Sequence, residues 1–128
     1  MTLIFNDDKP SQPQTHAFVI GVGGYRHLPG AFPEERKVRD SMNLTQLSSP
    51  PISARAFVEW LLSTYDNPDA PLGTVDVLLT SGPRRDTVTG PAGAVSVEQA
   101  TSEAIEITWP RWRDRCHRDE RNVAIFFF

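Results

Sequence analysis

The stretch HAFVIGVGGY, residues 16–25, decides the fold of this 128-residue chain. It begins with an apolar run of strand length, rich in residues that favour β-structure, and it ends in glycines. Continuous apolar runs of this kind form strands that are buried on both faces, and such strands belong to parallel sheets covered by helices. The stretch therefore predicts a strand of an α/β fold that is buried on both faces.

Two later segments have the same character. TVDVLLT (residues 74–80) and NVAIFFF (residues 122–128) are short and apolar, and their composition favours strands. We expect both to be buried strands. The segment between them begins with SGPRRDTVTGPAGAV (residues 81–95), which predicts a Gly/Pro-rich loop with Arg84 and Arg85 at its tip.

The segment ISARAFVEWLLSTY, residues 52–65, predicts a first helix. Ser53 is the expected N-cap, and Ile52 and Phe57 have the spacing of a hydrophobic staple. The apolar positions recur with helical spacing and form one stripe: Phe57, Val58, Leu61, Leu62 and Tyr65.

A second helix is predicted after residue 95. Ser96 and Gln99 have the spacing of a capping box, and Thr101 or Ser102 could cap the helix instead. Its apolar stripe consists of Ile105, Trp109, Trp112 and Cys116. Pro110 lies within this stripe, and an interior proline removes a backbone hydrogen bond. Either the helix bends at Pro110, or it begins at Thr108 with the proline in its first turn.

The order is thus strand, long loop, helix, strand, loop, helix, strand. This alternation builds a mostly parallel sheet with right-handed crossovers and helices on both faces. A chain of this length supports one hydrophobic core, which we assign to residues 16–128. Residues 1–15 are expected to be a flexible arm in which only LIF (residues 3–5) adds a short edge contact. The loop at residues 26–51 is long enough to be functional.

Composition argues against several partners. The net charge of −3 gives no general attraction to nucleic acids or to anionic membrane surfaces. The first 15 residues have neither the basic start nor the apolar core of a signal peptide, so no membrane association is expected. Cys116 is the single cysteine, which rules out an internal disulfide and favours a cytoplasmic location.

Several motifs have ordinary structural explanations. GVGGYR (residues 21–26) lacks the third glycine and the immediate helix of a dinucleotide site, so its glycines are read as a tight strand exit. Cys116 and His117 are neighbours on a helix and point about 100° apart, which favours a core cysteine over a nucleophile with its base. His16 and His27 are too scattered for a metal site. The charged segment RWRDRCHRDER (residues 111–121) is interpreted as a solvent-exposed helix face that carries several ion pairs.

The order of these segments resembles the first half of a caspase-like or metacaspase-like cysteine peptidase domain. The resemblance covers roughly residues 17–128 and rests on FVIGVGGY, then LTQLSSPPISARAFVEWL, VDVLLT, TSEAIEITWPRW and VAIFFF. It implies an incomplete caspase-like three-layer fold. In that family the catalytic histidine follows the aromatic strand and the cysteine follows the next strand, so the resemblance assigns no catalytic residue, metal or cofactor to this chain.

The same resemblance implies an N-terminal part of a cysteine endopeptidase that acts on a peptide or protein. Its partners would be the remainder of the domain or a regulatory domain, as in bacterial members that act in signalling or defence. Arg26 is the nearest match to the arginine with which caspases bind an acidic substrate side chain, and Arg36 and Arg39 match less well. Ile52 and Ser53 stand where metacaspases have Asn-Asp, so an acidic pocket is not carried over.

Two alternatives of another class remain open. One is a catalytically inactive caspase-like pseudoenzyme or interaction module that binds a partner through its open sheet edge. The other is a small flavodoxin-like domain that binds a ligand.

Overall fold

The computed structural model describes residues 2–25 and 46–128. Within them the chain forms a mostly parallel four-stranded sheet, a separate two-stranded hairpin and two helices. In chain order the elements are β1 (Leu3–Asn6), β2 (Thr15–Val22), α1 (Ser49–Ser63), β3 (Leu72–Thr80), β4 (Thr87–Gly90), β5 (Gly93–Ser96), α2 (Ser102–His117) and β6 (Val123–Phe127).

The main sheet has the strand order β1-β3-β2-β6. β2 runs parallel to both of its neighbours, β3 and β6, whereas β1 pairs antiparallel with β3. Every residue of β2 except the last is buried. The predicted burial of this strand on both faces is therefore confirmed, as is the mostly parallel α/β sheet.

The two helices cover opposite faces of the sheet, which gives three layers. α1 contributes three buried residues to the larger core, where strand residues of alternate positions meet them: Ala54, Val58 and Leu61 against Ala17, Val19, Val75, Val77 and Leu79. α2 covers the other face, where Ala104 and Trp112 pack with Phe18, Ile20 and Leu78. The alternation of side chains along each strand separates the two cores.

The start of α1 differs from the prediction. The helix begins at Ser49 after an N-cap at Ser48, and Pro50 and Pro51 occupy its first turn. Proline is compatible with this turn because the first N–H groups of a helix have no partner within the helix. Ser53 is therefore an interior residue and not the N-cap. Ile52 is 60% exposed, so the predicted hydrophobic staple is also wrong.

The start of α2 agrees with one of the predicted alternatives. The Thr101 hydroxyl accepts a hydrogen bond from the Ala104 N–H at 3.1 Å, and the helix runs from Ser102 past Pro110 to His117. A start at Thr108 is thereby excluded. Trp112 is the most buried member of the predicted stripe, whereas Trp109 is 39% exposed.

β6 is less buried than the sequence predicts. It lies at the edge of the sheet beside β2, and its residues alternate between half-buried and exposed. An apolar run predicts contact with other apolar groups but not the number of neighbouring strands.

The segment after β3 also differs from the prediction. Its glycines and prolines predicted a loop, whereas β4 and β5 form a hairpin. Gly93, in its turn, has a φ of 111°, which glycine adopts readily.

Residues 2–15 include one edge strand of the sheet and the turn that follows it. β1 supplies the edge contact expected from LIF, with Ile4 in the larger core. The turn that follows is closed by Gln14, whose side chain accepts from the Lys9 N–H at 2.7 Å and donates to the Asp7 carbonyl at 2.8 Å.

Candidate functional site at the carboxyl edge of the sheet

The parallel strands β2, β3 and β6 all end at the same edge of the sheet. From β2 the chain crosses through α1 to β3 on one side, and from β3 it crosses through α2 to β6 on the other side. The connections thus diverge between β2 and β6. In open α/β sheets, ligands bind outside the carboxyl ends of the strands at such a point.

An apolar groove of about 520 Å³ lies at this point. Its wall combines both helices and both strands, and its lining residues are Ile20, Val22, Tyr25, Pro50, Ile105, Phe126 and Phe128. The volume lies within the range of small-molecule and side-chain pockets. The lining offers a single side-chain polar group, the Tyr25 hydroxyl, so the groove suits an apolar side chain.

Two glycines allow α1 to approach the end of β2. A Cβ atom at Gly21 would lie 2.7 Å from the Ala54 Cβ, and one at Gly23 would lie 1.9 Å from the Leu47 carbonyl oxygen. Neither distance is sterically possible. The Leu47 N–H also donates to the Gly23 carbonyl at 2.8 Å, which ties the segment before α1 to the strand end. These contacts support the interpretation of the glycines as a tight strand exit.

The same edge is poorly equipped to bind phosphate. A helix N-terminus binds anions through its free N–H groups, but Pro50 and Pro51 remove two of these groups from the first turn of α1. The first turn of α2 already carries the Thr101 cap and Glu103. Among the residues that the structure describes, neither helix start therefore supports nucleotide binding.

A polar cluster stands at the end of β3. The buried Asp86 carboxylate accepts hydrogen bonds from the Ser81 N–H at 3.0 Å and the Ser81 hydroxyl at 2.5 Å. It also forms an ion pair at 3.0 Å with Arg55 of α1. The Arg55 Nε atom is buried and has no hydrogen-bond partner among the described residues. Sequence reasoning missed this cluster, because only the fold brings Arg55 close to the loop.

A second polar cluster lies on the α2 face of the sheet, toward the amino end of β2. The His16 Nδ1 atom lies 2.8 Å from the Thr74 hydroxyl, which also accepts a hydrogen bond from Arg115 Nε at 3.2 Å. Arg115 is paired with Asp76, and the Thr2 hydroxyl donates to Asp76 at 3.1 Å. The charge of Asp76 within TVDVLLT was the sequence signal for this cluster.

Burial dominates the electrostatics of the second cluster. It lowers the pKa of His16 to about 4 and raises the pKa of Asp76, against the opposing effect of Arg115. Both shifts follow from the cost of holding a charge away from water. His16 and Asp76 are 1% and 3% exposed, so they have little surface on which to meet a substrate.

Several of the candidate site residues from the sequence lie outside the part of the chain that the structure describes. Arg26, Arg36 and Arg39 lie outside the described residues, as does His27. Cys116 is half-buried against the smaller core, and burial raises its pKa to about 11. A cysteine nucleophile acts as the thiolate, so both features favour the interpretation of Cys116 as a residue that packs against the core.

The described ranges contain neither a cluster of metal-ligating side chains nor a membrane-spanning helix. Within residues 2–25 and 46–128, no group of three or more His, Cys, Asp or Glu side chains is arranged to hold a metal ion. The helices in these ranges are also too short or too polar to cross a membrane.

The arginines of residues 111–121 are largely paired with carboxylates. Arg118 contacts both oxygens of Asp8 at 2.7 and 2.8 Å, and Arg121 contacts Asp119 at 2.8 Å. Arg115 is paired with Asp76, and Arg113 lies 3.4 Å from Asp114. Four of the five arginines in this segment are thus paired within the described part of the chain.

Comparison with known proteins adds no relative, since no protein-family model, curated protein or solved structure matches the chain.

Proposed function

We propose that this chain is the N-terminal portion of a caspase-like cysteine endopeptidase domain. It supplies scaffold strands and part of the substrate cleft, and peptide bonds are hydrolysed only when the downstream part completes the domain. The proposal rests on the resemblance of the sequence segments and on their arrangement in space. It requires no catalytic residue within this chain.

The observation that carries the proposal is the position of β2. This strand, which bears the FVIGVGGY motif, lies between β3 and β6, with α1 and α2 on opposite faces. The arrangement directs the carboxyl ends of β2 and β6 to one edge, where the apolar groove opens. A catalytic turn that follows the aromatic strand, as the resemblance implies, would lie beside this groove.

The expected chemistry is that of cysteine peptidases. A cysteine thiolate attacks the peptide carbonyl, a histidine assists proton transfer, and backbone N–H groups stabilise the oxyanion. Cys116 is unsuited to this role because its thiol is half-buried with a raised pKa. The nucleophile would instead come from the residues after Phe128. Arg26 keeps its proposed role as a contact for an acidic substrate side chain.

The test is to extend the reading frame past Phe128 and to compare the two proteins. With fluorogenic peptide substrates, we expect no hydrolysis by the 128-residue chain and hydrolysis by the extended protein. Replacing the cysteine after the next strand by alanine should abolish activity, whereas Cys116→Ala should retain it. An extension without a Gly-His-Gly-like turn, or without that cysteine, would overturn the proposal.

A second candidate function is an inactive caspase-like interaction module. It is favoured by β6, whose outer edge pairs with no strand in the described part of the chain, and by the exposed rings of Phe126 and Phe128. Such an edge can accept another strand. Light scattering after size-exclusion chromatography tests this candidate. A monodisperse monomer at high concentration would argue against association through the outer edge of β6.

A further inference from the structure

The connection between β3 and β4 presents two arginines without compensating charges. In the sequence PRRDTV (residues 83–88), the side chains of Arg84, Arg85 and Thr87 are exposed. Within the described ranges, none of the three has an ion-pair or hydrogen-bond partner for its side chain. None of these three residues lines the apolar groove.

The segment is held in a defined conformation by its neighbours. Asp86 is 8% exposed, and it is bound by Ser81 and by Arg55 of α1. Gln99 adds a hydrogen bond from its side-chain amide to the Gly82 carbonyl at 3.2 Å. Because Arg55 already neutralises Asp86, the charges of the other two arginines are available to a partner.

We propose that Thr87 is a phosphorylation site for a serine/threonine kinase that selects arginine at the second and third positions before the acceptor. Arg85 and Arg84 occupy these positions. Guanidinium groups pair strongly with carboxylates, often through two hydrogen bonds, so an acidic substrate groove on the kinase is the complementary surface. Kinases discriminate substrates by such charge patterns.

The local structure suits this role. Thr87 is the first residue of β4, so its backbone is already extended. Val88, the next residue, is 2% exposed and belongs to the core, so recognition rests on the residues before the acceptor. Thr89 is an internal comparison, since it is also exposed on β4 but has Asp86 and Thr87 at the positions where Thr87 has arginines.

The reaction is an ordinary phosphoryl transfer from ATP. The Thr87 hydroxyl oxygen forms a bond to the γ-phosphorus while the bond from that phosphorus to the bridging β,γ-oxygen breaks. The hydroxyl proton passes to the catalytic carboxylate of the kinase, and ADP leaves. The product carries roughly −1.5 to −2 charges at neutral pH. It would nearly cancel the two positive charges of Arg84 and Arg85.

The test uses the full 128-residue chain, ATP and a purified kinase of this selectivity, with the product followed by intact mass and peptide mapping. We expect one phosphoryl group on Thr87, added at a rate within about tenfold of that for the free peptide of residues 81–92. The Arg84→Ala/Arg85→Ala variant should react at least about tenfold more slowly, since each lost charge-assisted contact is strong. Arg113→Ala/Arg121→Ala is the matched control and should react like the wild type.

Two results would overturn the proposal: modification of the peptide but not of the folded chain, or modification of the Thr87→Ala variant to the same extent. Neither result depends on peptidase activity, so the proposed function and this modification site can fail independently.

Discussion

Arg115 of α2 and Asp76 of β3 lie 39 positions apart in the sequence and form an ion pair across the helix–sheet interface. Their side chains are 16% and 4% exposed. The Asn122 side chain donates to the Arg115 carbonyl at 3.0 Å and accepts from the Gln14 N–H at 2.8 Å. The pair therefore fixes the last turns of α2 over the sheet, and Asn122 links that position to the starts of β2 and β6.

Removing one partner of this pair should be strongly destabilising. Arg115→Ala leaves a buried carboxylate without its cation, which costs about 3–5 kcal/mol in comparable sites. Urea unfolding monitored by tryptophan fluorescence measures the loss. Arg113→Ala is the matched control, because its exposed pair with Asp114 should contribute at most about 1 kcal/mol.

The double variant Asp76→Leu/Arg115→Met tests whether the instability of Arg115→Ala comes from the unpaired charge of Asp76. Buried pairs replaced by apolar residues are often neutral or more stable, so this variant should unfold at a higher urea concentration than Arg115→Ala. If the double variant were as unstable as Arg115→Ala, the unpaired charge of Asp76 would not be the cause of the lost stability.

Asp76 also illustrates how far the sequence predicts this fold. The two helices and the strands β2, β3 and β6 follow from their apolar patterns, whereas the β4–β5 hairpin does not. The partner of Asp76 cannot be predicted either, because Arg115 is one of five arginines in residues 111–121 and only the packing of α2 selects it. The edge position of β6 escapes prediction for the same reason, since burial depends on neighbours far away in sequence.

The stability of the chain should fall when the pH decreases from about 6.5 to about 4. In this window the unfolded chain binds a proton at His16, whereas the folded chain, in which the His16 pKa is about 4, does not. Unfolding therefore takes up a proton, and acid favours it. The loss reaches on the order of 3 kcal/mol at the lower end of the window. Urea unfolding at several pH values measures it.

The His16→Gln variant should lose most of this pH dependence, whereas His117→Gln, on the exposed end of α2, should keep it. Burial of Asp76 raises its pKa, which has the opposite effect on stability, so the comparison of variants isolates the histidine. NMR titration of the wild-type His16 ring provides a second measurement, and a midpoint near 6.5 would contradict the prediction.

Gly23→Ala should destabilise the chain. The new Cβ would lie 1.9 Å from the Leu47 carbonyl oxygen, and a backbone atom cannot move aside as a side chain can. Forced overpacking of this kind costs about 1–3 kcal/mol. The matched control is Gly82→Ala, whose Cβ would have no atom within 4 Å and should change stability by no more than about 0.5 kcal/mol. Equal midpoints of thermal unfolding for the two variants would contradict the packing at the end of β2.

Cys116 should react slowly with thiol reagents. Burial raises its pKa to about 11 from an ordinary value of 9.0, so at pH 8 the thiolate fraction is lower by about a hundredfold, and the rate of alkylation falls with it. Alkylation by iodoacetamide, followed by intact mass at pH 8, measures this rate. The same chain in concentrated urea is the control, because unfolding exposes the thiol and should restore an ordinary rate. Rapid labelling of the folded chain would instead identify an accessible thiolate, and Cys116 would then have to be reconsidered as a nucleophile.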